Sequence, residues 1–332
     1  MAPLLRLPLR VLLCERPTIL WPLMEAIRSK WPDSASQLLL HTVAIENEED
    51  FEKPLRLPSE TLQEVKVLLC HSQGILPLAR QLPNLRWVQC SWAGLDGLFG
   101  VDVFTSSTEP PPWLLTRSGG HTGPLVAEYV LGQLVAWERR FFQLREYQRR
   151  RFWLGHESDD APMHARPLAS LRLGLLGVGE VGSQVARLCK AAGLEYRSGK
   201  SGLLDVLRSV DFVCNTLPAT QRTNGLLGNG ALKACSDRKA VLVNVGRGNV
   251  VADHEILHAL KKGWIGGAIL DVCEREPLEP TSELWAREDV VITPHLAAPY
   301  NPQGTATAFL DNLDRALKGE ELLYRVDWER QY

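Results

Sequence analysis

The stretch LRLGLLGVGEVGSQVARLCKAAG, residues 171–193, decides how this chain is read. An apolar run of strand character gives way to Gly177, Gly179 and Gly182 at the spacing G-x-G-x-x-G. A helical pattern follows at once, with Val181, Val185, Ala186, Leu188 and Cys189 on its expected buried side. In such a strand–turn–helix unit the first glycine permits the tight turn. The second lets a pyrophosphate approach the backbone, and the third lets helix and strand pack closely. Unpaired N–H groups and the dipole at the helix start then favour phosphate. Gly177, Gly179, Glu180, Val181 and Gly182 are therefore the expected phosphate-binding turn of a dinucleotide site.

Outward from this unit, short apolar runs alternate with helical patterns along the whole chain: RVLLC, QLLLHT, VKVLLC, RWVQC, DFVCNTL, AVLVNV, GAILDV and VVITP. The alternation predicts α/β architecture. The continuous Val/Leu/Ile runs predict parallel strands covered on both faces. Ser118-Gly119-Gly120 is a candidate hinge before a long helical pattern from about Gly123 to Arg151, and Pro294, Pro299 and Pro302 punctuate the chain again. The expected organisation is a first domain of residues 1–118, completed by 300–332, with a Rossmann-type doubly wound cofactor domain, 119–299, inserted into it. The 332 residues suffice for two such cores.

A formal charge of −2 removes the electrostatic reason to expect nucleic acid or an anionic membrane as partner. No apolar stretch approaches the ~20 residues that span a bilayer. The seven cysteines form no C-x-x-C pair, which fits a reducing compartment. The cytosol is the expectation, with a mitochondrial leader left open by the Arg-containing start MAPLLRLPLRVLLCERP; Arg10 to Cys14 reads better as a first buried strand. Arg149-Arg150-Arg151, with Arg139, Arg140 and Arg145, reads as a solvated helix face or subunit contact in a chain that is not basic overall.

Cofactor choice turns on the segment EYRSGKS. An NAD site places an acid about 20 residues after the glycines, on the ribose hydroxyls. Here Arg197, Ser198 and Lys200 stand in that region, and cations with a hydroxyl suit a 2′-phosphate. NADP is expected in preference to NAD. A rival motif, His254-Glu255-Ile256-Leu257-His258, has the H-E-x-x-H form of zinc hydrolases. No flanking residue offers a third ligand, and Ile256, Leu257 and Leu260 make an ordinary amphipathic helix capped by Asp253, so no metal is expected.

Three further blocks, NVGRGNVV, GAILDVCEREPL and ITPHLAA, with WVQCSWAGLDGL and GGHTGPLVAEYVLG upstream, resemble the D-isomer-specific 2-hydroxyacid dehydrogenases. The resemblance runs from about residue 65 to 300 and is strongest to the glyoxylate/hydroxypyruvate reductase branch. It implies a flavodoxin-like substrate domain, reduction of a small 2-oxo acid with NAD(P)H, and a homodimer formed through the helix near 123–151. It assigns catalysis to Arg247, Glu276 and His295. It also implies carboxylate binding by Trp92, Ala93, Gly94 and Arg247, a nicotinamide contact for Asp271, and an adenine-side loop at Leu217 and Pro218.

The residue types suit that chemistry. Histidine supplies a proton near neutral pH, a neighbouring carboxylate favours the imidazolium, and a guanidinium stabilises charge on carboxylate and carbonyl oxygens. Glu276 stands where the formate dehydrogenase branch carries glutamine. The same fold serves dinucleotide-dependent co-repressors, so a regulatory or scaffold protein with impaired catalysis is the alternative; an intact Arg247, Glu276 and His295 favours the enzyme. Against the family pattern, about a dozen residues, a loop and a short strand, are absent between Tyr196 and Leu203, which puts the adenosine end of the site in question.

Overall fold

The computed structural model describes residues 3–31, 37–99, 111–155, 165–198 and 202–330. The chain divides into two units, residues 1–121 with 300–332, and residues 122–299.

The first unit runs β1 (Leu9–Glu15), α1 (Pro17–Lys30), β2 (Leu38–Ala44), α2 (Ser59–Glu64), β3 (Val65–Cys70), α3 (Ile75–Ala79), β4 (Trp87–Cys90), α4 (Asp96–Phe99) and β5 (Leu114–Thr116). Its strands form a parallel sheet in the order β2-β1-β3-β4-β5, the flavodoxin-like arrangement. Successive side chains of β1 alternate between two cores because strand side chains point to opposite faces. Val11 and Leu13 pack with Leu20, Leu23 and Ile27 of α1, while Leu12 and Cys14 pack with Ile75 and Leu78 of α3. The sequence pattern located the first four strands but not β5, whose three residues are too short to show a period.

The second unit contains α5 (Thr122–Glu138), α6 (Phe141–Arg149), β6 (Arg172–Leu176), α7 (Glu180–Ala191), β7 (Glu195–Ser198), α8 (Leu203–Ser209), β8 (Phe212–Asn215), β9 (Val241–Asn244), α9 (Asp253–Lys261), β10 (Gly267–Leu270) and β11 (Val290–Ile292). The parallel order is β11-β10-β9-β8-β6-β7. The order reverses at β6, whose neighbours are β7 and β8, and in open α/β sheets ligands bind outside the carboxyl ends of strands at such a point. The chain then returns to the first unit as α10 (Pro302–Lys318), whose Ala306, Phe309, Leu313 and Ala316 join the core under α1.

One expectation is corrected. The helical pattern from Gly123 to Arg151 is two helices: α5 buries Val126, Ala127, Val130 and Leu134, whereas α6 buries nothing, and Arg140 turns the chain between them at φ 53°. Packing against the sheet ends with Trp137, which lies against Gly267 of β10, and no residue of α6 is buried to hold the next turns in line. The segment EYRS, assigned to the 2′-phosphate region without a secondary structure, is the strand β7. It lies at the sheet edge, where mostly exposed Glu195, Tyr196 and Arg197 leave no apolar pattern to detect. All seven cysteines are buried free thiols.

Candidate active site

The glycine turn after β6 has the geometry its sequence requires. Gly177 has φ +92°, open to glycine at no steric cost. A Cβ on Gly182 would collide with the Gly177 carbonyl oxygen, so only glycine lets α7 start this close to β6. Gly179 caps α7, exposed, with open space where its side chain would be. Glu180 and Val181 form the first helical positions. The loop after β8 lies alongside. Thr216 Oγ1 donates to the Gly177 carbonyl at 2.9 Å, and Leu217 N and its side chain lie within 3.3 Å of a Cβ built on Gly177. Thr223 Oγ1 holds the Pro218 carbonyl at 2.7 Å.

The acid and the histidine meet beyond β10. His295 Nδ1 and Glu276 Oε2 are 2.7 Å apart, and Glu276 Oε1 accepts the Cys273 N–H at 3.2 Å, so both carboxylate oxygens are oriented. With Nδ1 committed to Glu276, Nε2 is the nitrogen left to deliver a proton. The hydrogen bond that His295 donates to Glu276 raises the His295 pKa, opposed by burial, aided by the charges of Glu276 and Asp271 and opposed again by Arg247. Asp271, which follows β10, is buried. Its carboxylate accepts from Thr293 Oγ1 (2.6 Å), Leu296 N (2.8 Å) and Ala297 N (2.9 Å), and its carbonyl accepts from His295 N at 2.8 Å. Asp271 therefore holds the strained loop in which His295 sits at φ 55°. Tyr129 OH shares a 2.7 Å hydrogen bond with Thr293 Oγ1, extending this support to α5.

Arg247 follows β9, half-buried, its Nη1 donating to the Gly246 carbonyl at 2.7 Å. A Cβ on Gly248 would collide with the Cys273 carbonyl, so this glycine brings the Arg247 turn against the loop that carries Glu276. The sequence reading missed a buried amide pair beneath it. Asn215 and Asn244 end β8 and β9 as register partners, with Asn215 Nδ2 donating to Asn244 Oδ1 at 2.8 Å. Asn244 Nδ2 also donates to the Arg247 carbonyl (3.2 Å), and Asn215 Oδ1 accepts the Leu217 N–H (3.1 Å). One pair of side chains thus ties the Leu217 loop to the Arg247 turn. The detectable signal was an asparagine closing each of two apolar runs, a costly burial unless partnered.

In the first unit, Trp92, Ala93 and Gly94 form a half-buried loop after β4. The Trp92 ring lies 5.0 Å from Tyr300 and 5.9 Å from His71. At the edge of the second sheet, Arg197 reaches Glu195 at 3.9 Å and Ser198 is half-buried, while Lys200 lies outside the described residues.

The H-E-x-x-H run lies on α9 with Ile256, Ala259 and Leu260 buried; Glu255 accepts the Asn229 N–H at 2.6 Å, and His258 packs edge-on against Trp264 at 5.1 Å. The expected cap is corrected: Ala252 is the N-cap and Asp253 the first helical residue, its carboxylate accepting the Glu274 N–H at 3.3 Å. Among the described residues no group of three or more His, Cys, Asp or Glu is placed to hold a metal.

A dinucleotide-type turn, an acid–histidine pair and an arginine all stand at the carboxyl ends of one parallel sheet, which defines a nicotinamide-dependent oxidoreductase. Residues 131–297 match the profile of the D-isomer specific 2-hydroxyacid dehydrogenase family, NAD binding domain. The chain is 32% identical to glyoxylate/hydroxypyruvate reductase A of Escherichia fergusonii, over 70% of this chain and 79% of that protein. Among solved structures it is similar to a D-isomer specific 2-hydroxyacid dehydrogenase from Xanthobacter autotrophicus in complex with NADPH and MES (TM-score 0.81, 27% identity, 97% of this chain and 99% of that one). A family member from Aeromonas salmonicida is also similar (TM-score 0.76, 28% identity, 96% and 99%). The chain belongs to the D-isomer-specific 2-hydroxyacid dehydrogenase family, and its cofactor is NAD or NADP.

Proposed function

We propose that this protein reduces a small 2-oxo acid of the glyoxylate or hydroxypyruvate type to the 2-hydroxy acid, with NADPH preferred to NADH. The observation that carries the reading is the 2.7 Å contact between His295 Nδ1 and Glu276. It keeps the imidazole protonated and aims Nε2 at the oxygen of the carbonyl being reduced. NADPH, when bound, supplies the hydride to the carbonyl carbon. Arg247 stabilises the charge that develops on the carbonyl oxygen and helps hold the carboxylate, a task its guanidinium fork suits. His295 then gives its proton to the nascent alkoxide, leaving a neutral imidazole hydrogen-bonded to Glu276.

Residues 1–118 with 300–332 serve as the substrate domain, where Trp92, Ala93 and Gly94 receive the substrate carboxylate, and 119–299 as the cofactor domain. Gly177, Gly179, Glu180, Val181 and Gly182 hold the pyrophosphate, Leu217 and Pro218 cover the adenine side, and Asp271 faces the carboxamide. Arg197, Ser198 and Lys200 meet the 2′-phosphate. The relative with NADPH bound supports this cofactor choice, as do Arg197, Ser198 and Lys200 in the region where an NAD site carries its ribose-binding acid. The half-exposed Phe141 and Phe142 on α6 support a homodimer through this helix pair. No helix among the described residues is long and apolar enough to cross a membrane, and the cytosol is the proposed compartment. The test is oxidation of NADPH and NADH by the purified protein against a panel of 2-oxo acids including glyoxylate and hydroxypyruvate. Turnover faster with NADPH is expected; no turnover with any member would sink the proposal.

A further inference from the structure

The first unit buries a carboxyl group that the reaction does not use. Glu15, the last residue of β1, is 1% exposed. Its Oε1 accepts a hydrogen bond from the Ser91 hydroxyl, and its Oε2 accepts from Arg16 N at 3.2 Å. Ser91 opens the loop that continues through Trp92 and Ala93 to Gly94. The same serine is fixed twice more: its N–H donates to the Cys70 carbonyl at 2.9 Å, and its carbonyl accepts from Thr305 Oγ1 at 3.3 Å. Glu15 therefore stands directly behind the loop, in contact with its first side chain.

We propose that Glu15 is a positioning residue for the substrate: in its neutral form it supports the Ser91–Gly94 loop, and its ionisation weakens binding of the 2-oxo acid's carboxylate. The inference rests on the reading that this loop receives that carboxylate.

The surroundings explain why ionisation matters here. Burial pushes the Glu15 pKa up to about 7, against the lowering effects of the Ser91 hydrogen bond, the Arg16 N–H and the Arg16 charge. The Arg16 guanidinium is half-exposed and shared with Glu48 at 3.4 Å, so it compensates only in part. Cys14 on the same strand, and Cys70 and Cys90 at the ends of β3 and β4, are thiols that burial keeps protonated, with the Glu15 charge adding to the effect. The Tyr300 phenol is likewise held neutral, chiefly by burial, with the Glu15 charge adding to the effect. A negative charge on Glu15 would thus appear behind an anion site within a low-dielectric wall, where like charges repel strongly. Below the raised pKa the site holds the substrate anion beside a neutral acid. Above it, two anions at the same loop repel each other.

The experiment measures KM for glyoxylate or hydroxypyruvate from pH 5.5 to 9 at saturating NADPH. For wild type, KM should rise about tenfold through pH ~7, the scale of two partly screened like charges. Glu15→Gln, isosteric and unable to ionise, should keep the low KM across the range. Ser91→Ala removes a hydrogen bond that favours the anion, so it should move the KM rise to higher pH. Thermal melts supply a readout independent of activity. A raised carboxyl pKa stabilises the fold below the ordinary glutamate pKa, and that stability is lost as pH rises through the raised value. Relative to wild type, Glu15→Gln should therefore melt higher at pH 8.5 than at pH 5.5. A KM profile unchanged by both substitutions would overturn the proposal. Gly94→Ala separates it from the parent reading: a raised KM at every pH supports the loop as the carboxylate site, and an unchanged KM removes the loop and the role of Glu15 together.

Discussion

The carboxyl ends of β8, β9 and β10 and the outer edge of the same sheet at β7 are built to opposite standards. At the first, Asn215, Asn244, Asp271 and Glu276 each make hydrogen bonds with neighbouring loops, and Gly246 and Gly248 sit where no side chain fits. At the second, β7 is four residues with one strand neighbour, and Arg197 and Glu195 are exposed with a 3.9 Å ion pair, close to the limit of such contacts. Groups that move a proton must be held within a few tenths of an ångström, whereas a phosphate on the ribose needs only nearby positive charge. Substitutions at the first region should therefore cost rate steeply, and those at the second should shift cofactor preference mildly.

The largest expected effect is at His295. Replacing it with alanine should lower kcat by about 10²-fold or more, the usual loss on removing a positioned general acid, while NADPH binding measured by fluorescence persists. Equal rates for the two proteins would take histidine out of the mechanism. Next is the support beneath Arg247. Asn244→Ala removes the 2.8 Å acceptor of the Asn215 amide and the 3.2 Å donor to the Arg247 carbonyl, leaving the two only their 3.4 Å contact with each other and the 3.5 Å contact from Val250 N, which should cost about 1–3 kcal/mol of stability in denaturant unfolding. It should also raise both KM and the barrier to hydride transfer, because the Arg247 turn and the Leu217 loop lose their shared tie. Loss of stability with kinetics unchanged would make the pair purely structural.

A smaller effect is expected at the edge. Arg197→Ala with Lys200→Ala should abolish the NADPH preference, about a tenfold change in relative kcat/KM, and leave NADH use as before. A wild type that favours NADH would refute the cofactor assignment. Smallest of all is the short connection itself. Inserting a family-length loop and strand between Arg197 and Leu203 would pair the exposed edge of β7, and should raise the melting temperature and cofactor affinity modestly. If neither rises, the four-residue strand is already a finished edge.

How much of this was legible in the sequence follows from the same contrast. The α/β class, the parallel order of elements and the glycine turn were readable because buried strands are continuous apolar runs, and Gly177 and Gly182 have no substitutes at their positions. Strands β5 and β7 were not, one being three residues long and the other exposed at an edge. Arg247, Glu276 and His295 could be named through resemblance, yet their proximity depends on contacts between loops separated in sequence, such as the Gly248 turn against Cys273. Asn215 and Asn244 were passed over because a lone asparagine after a strand resembles an ordinary turn residue, and only the pairing of β8 with β9 shows the two amides facing each other. Glu15 was hidden similarly: a carboxylate at the end of an apolar run gives no sign of burial, and its contact with Ser91 joins residues 76 apart in sequence.

The account rests most heavily on a protonated His295 held by Glu276. The direct test is the single-turnover rate of NADPH oxidation with saturating 2-oxo acid, followed against pH in wild type and Glu276→Gln; saturation removes any contribution of Glu15 through KM. Because Glu276 raises the His295 pKa, the wild-type rate should hold at low pH and fall only above the ordinary histidine range. Glu276→Gln should be slower and lose its rate at lower pH. A profile whose midpoint does not move on this substitution would contradict the mechanism.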